Sequence, residues 1–164
     1  MVVIKNVLVA TDFSEPSAVA LAYGRELART FAAKLHVLHI AESIASTPGL
    51  ELYGASVTEL QNNLEAAGRR QLDGLITEAD RTDLGVEAVV RTGASAAAAI
   101  VEYADEAQID LIVTGTHGRG RLSHFLMGSV AERVVRMGPC PVLTVRHPER
   151  EFVTSDDPAL AAHA

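Results

Sequence analysis

The apolar positions of this chain fall into short continuous runs separated by longer stretches at helical spacing. Val7, Leu8, Val9 and Ala10 form the first run, as expected for a strand buried on both faces. Thr11, Asp12, Phe13 and Ser14 break it. Ser14 stands where a helix N-cap belongs, and Pro16 falls in the first turn. Ala20, Leu21, Gly24, Leu27, Ala28 and Phe31 then recur with the period of a helix. Leu35, Val37, Leu38 and Ile40 predict a second strand. The stretch Glu42 to Ser56, with Ser, Thr, Pro and Gly, reads as a loop. Leu60, Leu64, Leu72, Leu75 and Ile76 mark a second helix, whose continuity Gly68 and Gly74 weaken.

Val86, Ala88 and Val90 predict a third strand that stops at Gly93. Ser95 is placed to cap a helix carrying Ala97, Ile100, Val101 and Ala104 on one face. Leu111 to Thr114 is the fourth strand. A helix from about Ser129 carries Val130, Val134 and Val135. Pro139, Cys140 and Pro141 then break the chain before a fifth strand, Val142 to Val145. Strands that alternate with helices imply a parallel sheet covered on both faces. In such sheets ligands sit beyond the carboxyl ends of the strands, where the winding reverses. Asp12 follows strand one and Gly115 follows strand four. If the two strands are neighbours, both segments open into one crevice.

The segment after strand four is rich in glycine: GTHGRGRLSHFLMGS, from Gly115 to Ser129. Two residues separate Gly115 from Gly118, nine separate Gly118 from Gly128, and Ser129 follows. Glycines let backbone N–H groups approach a phosphate, and the helix N-terminus behind them supplies unpaired donors and partial positive charge. The segment is not a P-loop, since no Lys-Ser or Lys-Thr follows a glycine, and it is not the dinucleotide fingerprint. Taken alone, it is equally an anion site and a loop whose glycines only make turns.

Composition narrows the possibilities. A chain of 164 residues is long enough for one domain with a substantial core. With aromatic residues at 4%, Ala, Val, Leu and Ile must fill that core. The formal charge of −7 argues against non-specific nucleic-acid binding. A small anion remains compatible, because Arg119 and Arg121 lie in the glycine segment. The single cysteine, Cys140, allows no internal disulfide and suggests no metal cluster. It is expected to be buried rather than reactive. The N-terminus lacks the features of a secretory leader, and no apolar run is long enough to span a bilayer. These features predict a cytoplasmic protein. The segment 147–164 is polar and then alanine-rich, and reads as a loosely ordered tail behind a domain over 1–146.

Three stretches together resemble the universal stress protein family: VLVATDFSEPS at Val7–Ser17, GTHGRGRLSHFLMGSVAERVV at Gly115–Val135, and CPVLTVR at Cys140–Arg146. The resemblance covers Lys5 to Arg146. The family's ATP-binding members carry glycine, two residues, glycine, nine residues, glycine, then Ser or Thr. Gly115, Gly118, Gly128 and Ser129 satisfy every element. The resemblance implies an α/β fold with a doubly wound, five-stranded parallel sheet of order 3-2-1-4-5 and helices on both faces. It implies ATP as the ligand and a nucleotide-dependent regulatory or stress-response role, with Mg²⁺ or Mn²⁺ accompanying the phosphates. Asp12 corresponds to an aspartate near the ribose or a phosphate-bound metal. Ala10 and Thr11 would border the nucleoside, Ile40 would contact adenine through its backbone, and Thr114 and Val130 would flank the phosphate loop. Family members commonly pair through the last strand, here Val142, Leu143, Thr144 and Val145, and exposed apolar edges invite such pairing.

Competing readings attach to single residues. Asp12 is also a residue that shapes turns. His117 is a candidate phosphate donor or a solvated loop histidine. Arg119 and Arg121 either clamp a γ-phosphate or face water. His36 and His39 on strand two are expected to be packed or hydrogen-bonded, since they lack metal-ligand partners. No histidine-carboxylate pair accompanies Ser129, which argues against a nucleophile. No base stands ready to activate water, so any ATP hydrolysis is expected to be slow. Two other functions fit the pattern. One is an ATP-cleaving or adenylate-forming enzyme using the Glu42–Ser56 loop as acceptor site; the other is a nucleotide-free dimeric interaction module.

Overall fold

The computed structural model describes residues 1–44, 55–116 and 127–146. Among the described residues ten elements follow one another: β1 (Asn6–Thr11), α1 (Glu15–Phe31), β2 (Lys34–Glu42), α2 (Ala55–Leu75), α3 (Glu78–Asp83), β3 (Glu87–Gly93), α4 (Ala96–Glu106), β4 (Leu111–Gly115), α5 (Ser129–Met137) and β5 (Val142–Val145). The five strands form one parallel sheet in the order β3-β2-β1-β4-β5, as the resemblance implies. The winding reverses between β1 and β4, which pair in register Val7 with Leu111 and Val9 with Val113.

Alternation along each strand divides the core in two. Val7, Val9, Leu35, Val37 and Val113 point to one face and pack with α1 and with Leu72 of α2. Leu8, Leu38 and Ile112 point to the other and pack with Ile100, Tyr103 and Ala104 of α4 and Val134 of α5. The runs Val7–Ala10 of β1 and Leu111–Val113 of β4 are apolar without interruption because both faces are covered, the reason continuous runs and not alternating ones marked them in the sequence.

Several boundaries differ from the sequence expectations. Ile76 does not continue the second helix. Helix α2 ends at Leu75, and Thr77 starts a fresh helix through a capping box. Its Oγ1 accepts from the Asp80 N–H at 3.1 Å, while Asp80 Oδ2 accepts from the Thr77 N–H at 2.9 Å. Leu60 and Leu64 are on α2 but exposed, at 48% and 41%; the apolar stripe of the helix is buried only from Gly68 onward. Val135 is likewise exposed, and Val101 is half-buried. Glu42 belongs to β2, where it pairs with Gly93, and Ser56 belongs to α2, so the predicted loop is shorter at both ends. Strand β3 begins at Glu87, with Val86 packed at its entrance. Ser95 caps α4 as expected, accepting from the Ala98 N–H. Ser14 occupies the N-cap position of α1 but makes no side-chain cap bond, because its hydroxyl is turned to Asp12. The tail over 147–164 lies outside the described residues.

Candidate functional site

The carboxyl ends of β1 and β4 lie side by side at the point of reversal, and α5 begins next to the residue that follows β4. Three backbone links tie the region together. The Thr116 N–H donates to the Val145 carbonyl at 2.9 Å, and the Gly128 N–H donates to the Thr116 carbonyl at 2.6 Å. The Glu132 N–H then closes the first turn of α5 onto the Gly128 carbonyl at 2.9 Å. Gly128 is the N-cap of this helix, with φ −60° and ψ 146°. Helix geometry leaves the N–H groups of Ser129, Val130 and Ala131 without intrahelical acceptors, so this end of α5 carries donors and partial positive charge.

Alternation assigns the sequence-predicted residues to faces. Ala10 follows Leu8, Ile40 follows Leu38, and Thr114 follows Ile112, so Ala10, Ile40 and Thr114 share the face covered by α4 and α5. Ala10 and Thr114 are buried and Ile40 is half-buried. Thr11 points to the opposite face, beneath α1. Its hydroxyl accepts from the Phe13 N–H at 3.1 Å and lies 3.1 Å from Ser17 Oγ. Because Ser17 Oγ donates to the Ser14 carbonyl at 2.8 Å, the Thr11 hydroxyl donates to Ser17. Thr11 therefore holds the turn with its side chain.

Asp12 shapes the same turn. Its Oδ1 accepts from the Ser14 N–H at 3.1 Å and from the Ser14 hydroxyl. Phe13, between them, adopts a left-handed backbone at φ 65°, which a non-glycine side chain seldom takes. Gly115 has a packing reason independent of any ligand. A Cβ there would come within 3.0 Å of the backbone carbonyl of Pro16, so the end of β4 abuts the first turn of α1. Ser129 and Val130 open α5 and Val130 is exposed at 39%. Gly118, Arg119, His117 and Arg121 lie outside the described residues.

Among the described residues no group of three His, Cys, Asp or Glu side chains is placed to hold a metal ion. A divalent cation here would be held by phosphate oxygens with Asp12 as the carboxylate beside them, a fit that the position of Asp12 at the end of β1 allows. His36 and His39 are hydrogen-bonded, as expected. His36 Nδ1 lies 2.8 Å from Tyr103 Oη, and His39 Nδ1 lies 2.9 Å from the Thr11 carbonyl. Cys140 is half-buried, and burial pushes its thiol up from the usual value. Composition and periodicity gave no sign that Ser17 would bond Thr11, that Thr116 would bond Gly128, or that the Thr11 carbonyl would be the partner of His39. Each acts through a neighbour brought close only by the fold.

Comparison with known proteins agrees with this architecture. The chain matches the Universal stress protein family over residues 4–146. A universal stress protein of Methanocaldococcus jannaschii is 32% identical over 149 residues, covering 90% of this chain and 85% of that protein. The structure of UspA from Lactobacillus plantarum superposes with a TM-score of 0.72 at 26% identity, covering 89% of this chain and all 100% of that one. A universal stress protein solved in complex with cAMP is similar at a TM-score of 0.56 and 28% identity, covering 88% of this chain and 98% of that chain. The chain belongs to the universal stress protein family.

Proposed function

We propose that this chain binds ATP, accompanied by Mg²⁺ or Mn²⁺, in the crevice between the ends of β1 and β4. It acts as a cytoplasmic, nucleotide-dependent regulatory or stress-response factor. The observation that carries this reading is the junction of β4 with α5. Thr116 holds Gly128 so that the N–H groups of Ser129, Val130 and Ala131, which have no intrahelical acceptors, start α5 just past the end of β4, the strand that pairs with β1. Gly115, Gly118, Gly128 and Ser129 keep the spacing of the family's ATP-binding members. The cAMP complex of a relative supports an adenine nucleotide as the ligand class. Phosphates would lie on the α5 N-terminus with Arg119 near them, the base against Ala10 and the Ile40 backbone, and the metal beside Asp12.

The edges of the sheet support pairing of two copies through β5. On the β3 edge, Arg69 donates to the Ala88 carbonyl at 2.8 Å, and Thr92 donates to Glu65 of α2. Side chains from α2 thus occupy that edge. Strand β5 is bonded to β4 on one side and carries half-buried Val142, Leu143 and Thr144 at the other edge of the sheet.

Mass spectrometry of nucleotide released from freshly purified protein, followed by titration with ATP and Mg²⁺, tests the reading. Retained ATP, and loss of binding in a folded variant with bulky residues at Gly118 and Gly128, are expected. Unchanged affinity in that variant would overturn the site. Rapid turnover stimulated by a small acceptor would mark an enzyme instead.

A further inference from the structure

His39 stands between α2 and the turn that carries Asp12. It pairs in register with Thr11 across the β1–β2 ladder. Its Nδ1 faces the Thr11 carbonyl at 2.9 Å, and since a carbonyl only accepts, Nδ1 carries the proton. Its ring lies against Phe13, centroid to centroid 4.3 Å. On its other flank, α2 comes so close that a Cβ on Gly68 would stand 2.8 Å from His39 Cδ2. Glycine inside a helix is unfavourable by itself, and here the imidazole takes up the room a side chain would need.

The turn needs such a support. Phe13 is held at φ 65°, a conformation that persists only where the surroundings determine it from several sides. Three contacts do so: the Thr11 hydroxyl on the Phe13 N–H, the His39 ring on the Phe13 ring, and the His39 N–H on the Thr11 carbonyl. The same turn presents the Asp12 carboxylate, whose Oδ1 is bonded to Ser14.

We propose that His39 is a positioning residue that couples α2 to the Thr11–Ser14 turn and thereby sets Asp12 for the nucleotide. Only the last step rests on the nucleotide reading. A shift of α2 against β2 moves the imidazole, and the imidazole moves the turn. The site is thus sensitive to a helix on the opposite face of the sheet from α5.

Amide hydrogen exchange and ATP titration of His39→Ala, His39→Asn and Gly68→Ala test this. In His39→Ala, exchange at Phe13 and Ser14 accelerates at least tenfold while Val9 in the sheet is unchanged, and affinity for ATP with Mg²⁺ falls about tenfold. His39→Asn, whose side-chain amide donates to the Thr11 carbonyl, recovers part of both losses. Gly68→Ala favours the helix yet pushes the imidazole, so exchange at Phe13 and Ser14 rises and ATP affinity drops without loss of global stability. Unchanged exchange at the turn in His39→Ala overturns the coupling, whether or not ATP binds. Uniform acceleration throughout the sheet also overturns it, reducing His39 to a packing residue. If the turn responds while the wild-type protein binds no ATP, the coupling stands and the nucleotide reading fails.

Discussion

Arg25 of α1 closes on the wholly buried carboxylate of Asp80 in α3, with Nη2 2.7 Å from Oδ2 and Nε 3.0 and 3.1 Å from the two oxygens. Arg25 Nη2 also donates to the Leu75 carbonyl at 2.7 Å, so one guanidinium ties the end of α2 to the start of α3. Burial alone would push the Asp80 carboxyl up. The bonds from Arg25 and Thr77 and the Arg25 charge outweigh it and hold the group below the usual carboxylate value. Removing the charge leaves a guanidinium that is largely covered, with 21% exposure. Asp80→Asn is expected to destabilise the fold by about 3 kcal/mol, the lower end for a broken buried pair. Urea unfolding at neutral pH checks it. Because the folded carboxyl titrates below its unfolded value of 3.8, this stabilisation is present above that pH. It is lost as pH falls through the folded value.

The second titrating site behaves in the same direction through a different charge. His36 is buried beneath α4, its Nδ1 against Tyr103 Oη and its Nε2 buried without a hydrogen-bond partner among the described residues. Burial lowers its pKa below 6.5. Glu87, 3.9 Å away, opposes the shift and Lys34 adds to it. The unfolded chain binds this proton more readily, so stability is fully present above pH 6.5 and is lost as pH falls through the folded value. His36→Asn, which keeps an acceptor near the Tyr103 hydroxyl, is expected to flatten the difference between urea midpoints at pH 7.5 and pH 5. An undiminished difference would assign the pH dependence to the carboxylates.

Proline at position 129 separates helix formation from ligand binding. Ser129 is the first residue of α5, where proline is accepted, and Gly128 before it already has φ −60° and ψ 146°, the extended geometry that precedes proline. Ser129→Pro removes one N–H donor and the hydroxyl without removing an intrahelical bond. An unchanged thermal midpoint and an affinity for ATP lowered at least tenfold are expected, in line with the loss of a hydrogen bond to a charged group. Calorimetric titration reads the affinity.

Asp12→Asn separates charge from turn. The amide oxygen keeps the bonds from Ser14, so the turn stays formed. With Mg²⁺, ATP affinity should fall by roughly tenfold, the loss of about one charged ligand interaction. With EDTA it should be unchanged or improved, since a repulsive charge is gone. Equal losses under both conditions would place Asp12 against the nucleoside and away from the metal.

The direction of the β5 backbone groups decides how the edge can be tested. The Pro141 and Val145 carbonyls accept from Ile112 and Thr116, at 3.0 and 2.9 Å. Alternation turns Leu143 to the same side and sends the N–H groups of Val142 and Thr144 outward. Val142→Pro or Thr144→Pro should therefore yield folded monomer, while Leu143→Pro disrupts the ladder with β4 and destabilises the fold by about 3 kcal/mol or more. Light scattering together with urea unfolding distinguishes these outcomes. If both outward-facing variants stay dimeric and folded, the copies pair through another surface.

The sequence by itself determined the alternation of strands and helices and the crevice they imply. Runs such as Val7–Ala10 and Leu111–Thr114 are apolar on both faces, and only a covered parallel sheet accepts that pattern. Glycine spacing from Gly115 to Ser129 marked the end of the sheet where a ligand would lie. The break at Ile76 was hidden because its apolar side chain continues the helical stripe, while the capping box at Thr77 and Asp80 uses an Asp where a Glu or Gln is the more familiar signal. Only the tertiary structure decided why a glycine stands at position 68 inside the continuous helix α2, since the imidazole that fills its place comes from residue 39, on another element. It alone showed that Thr11 spends its hydroxyl on Ser17 and Phe13, and that Arg25 meets Asp80 across a separation of 55 residues. Periodicity reports which side of an element faces the core. Partners distant in the chain are chosen by the packing of those sides against one another.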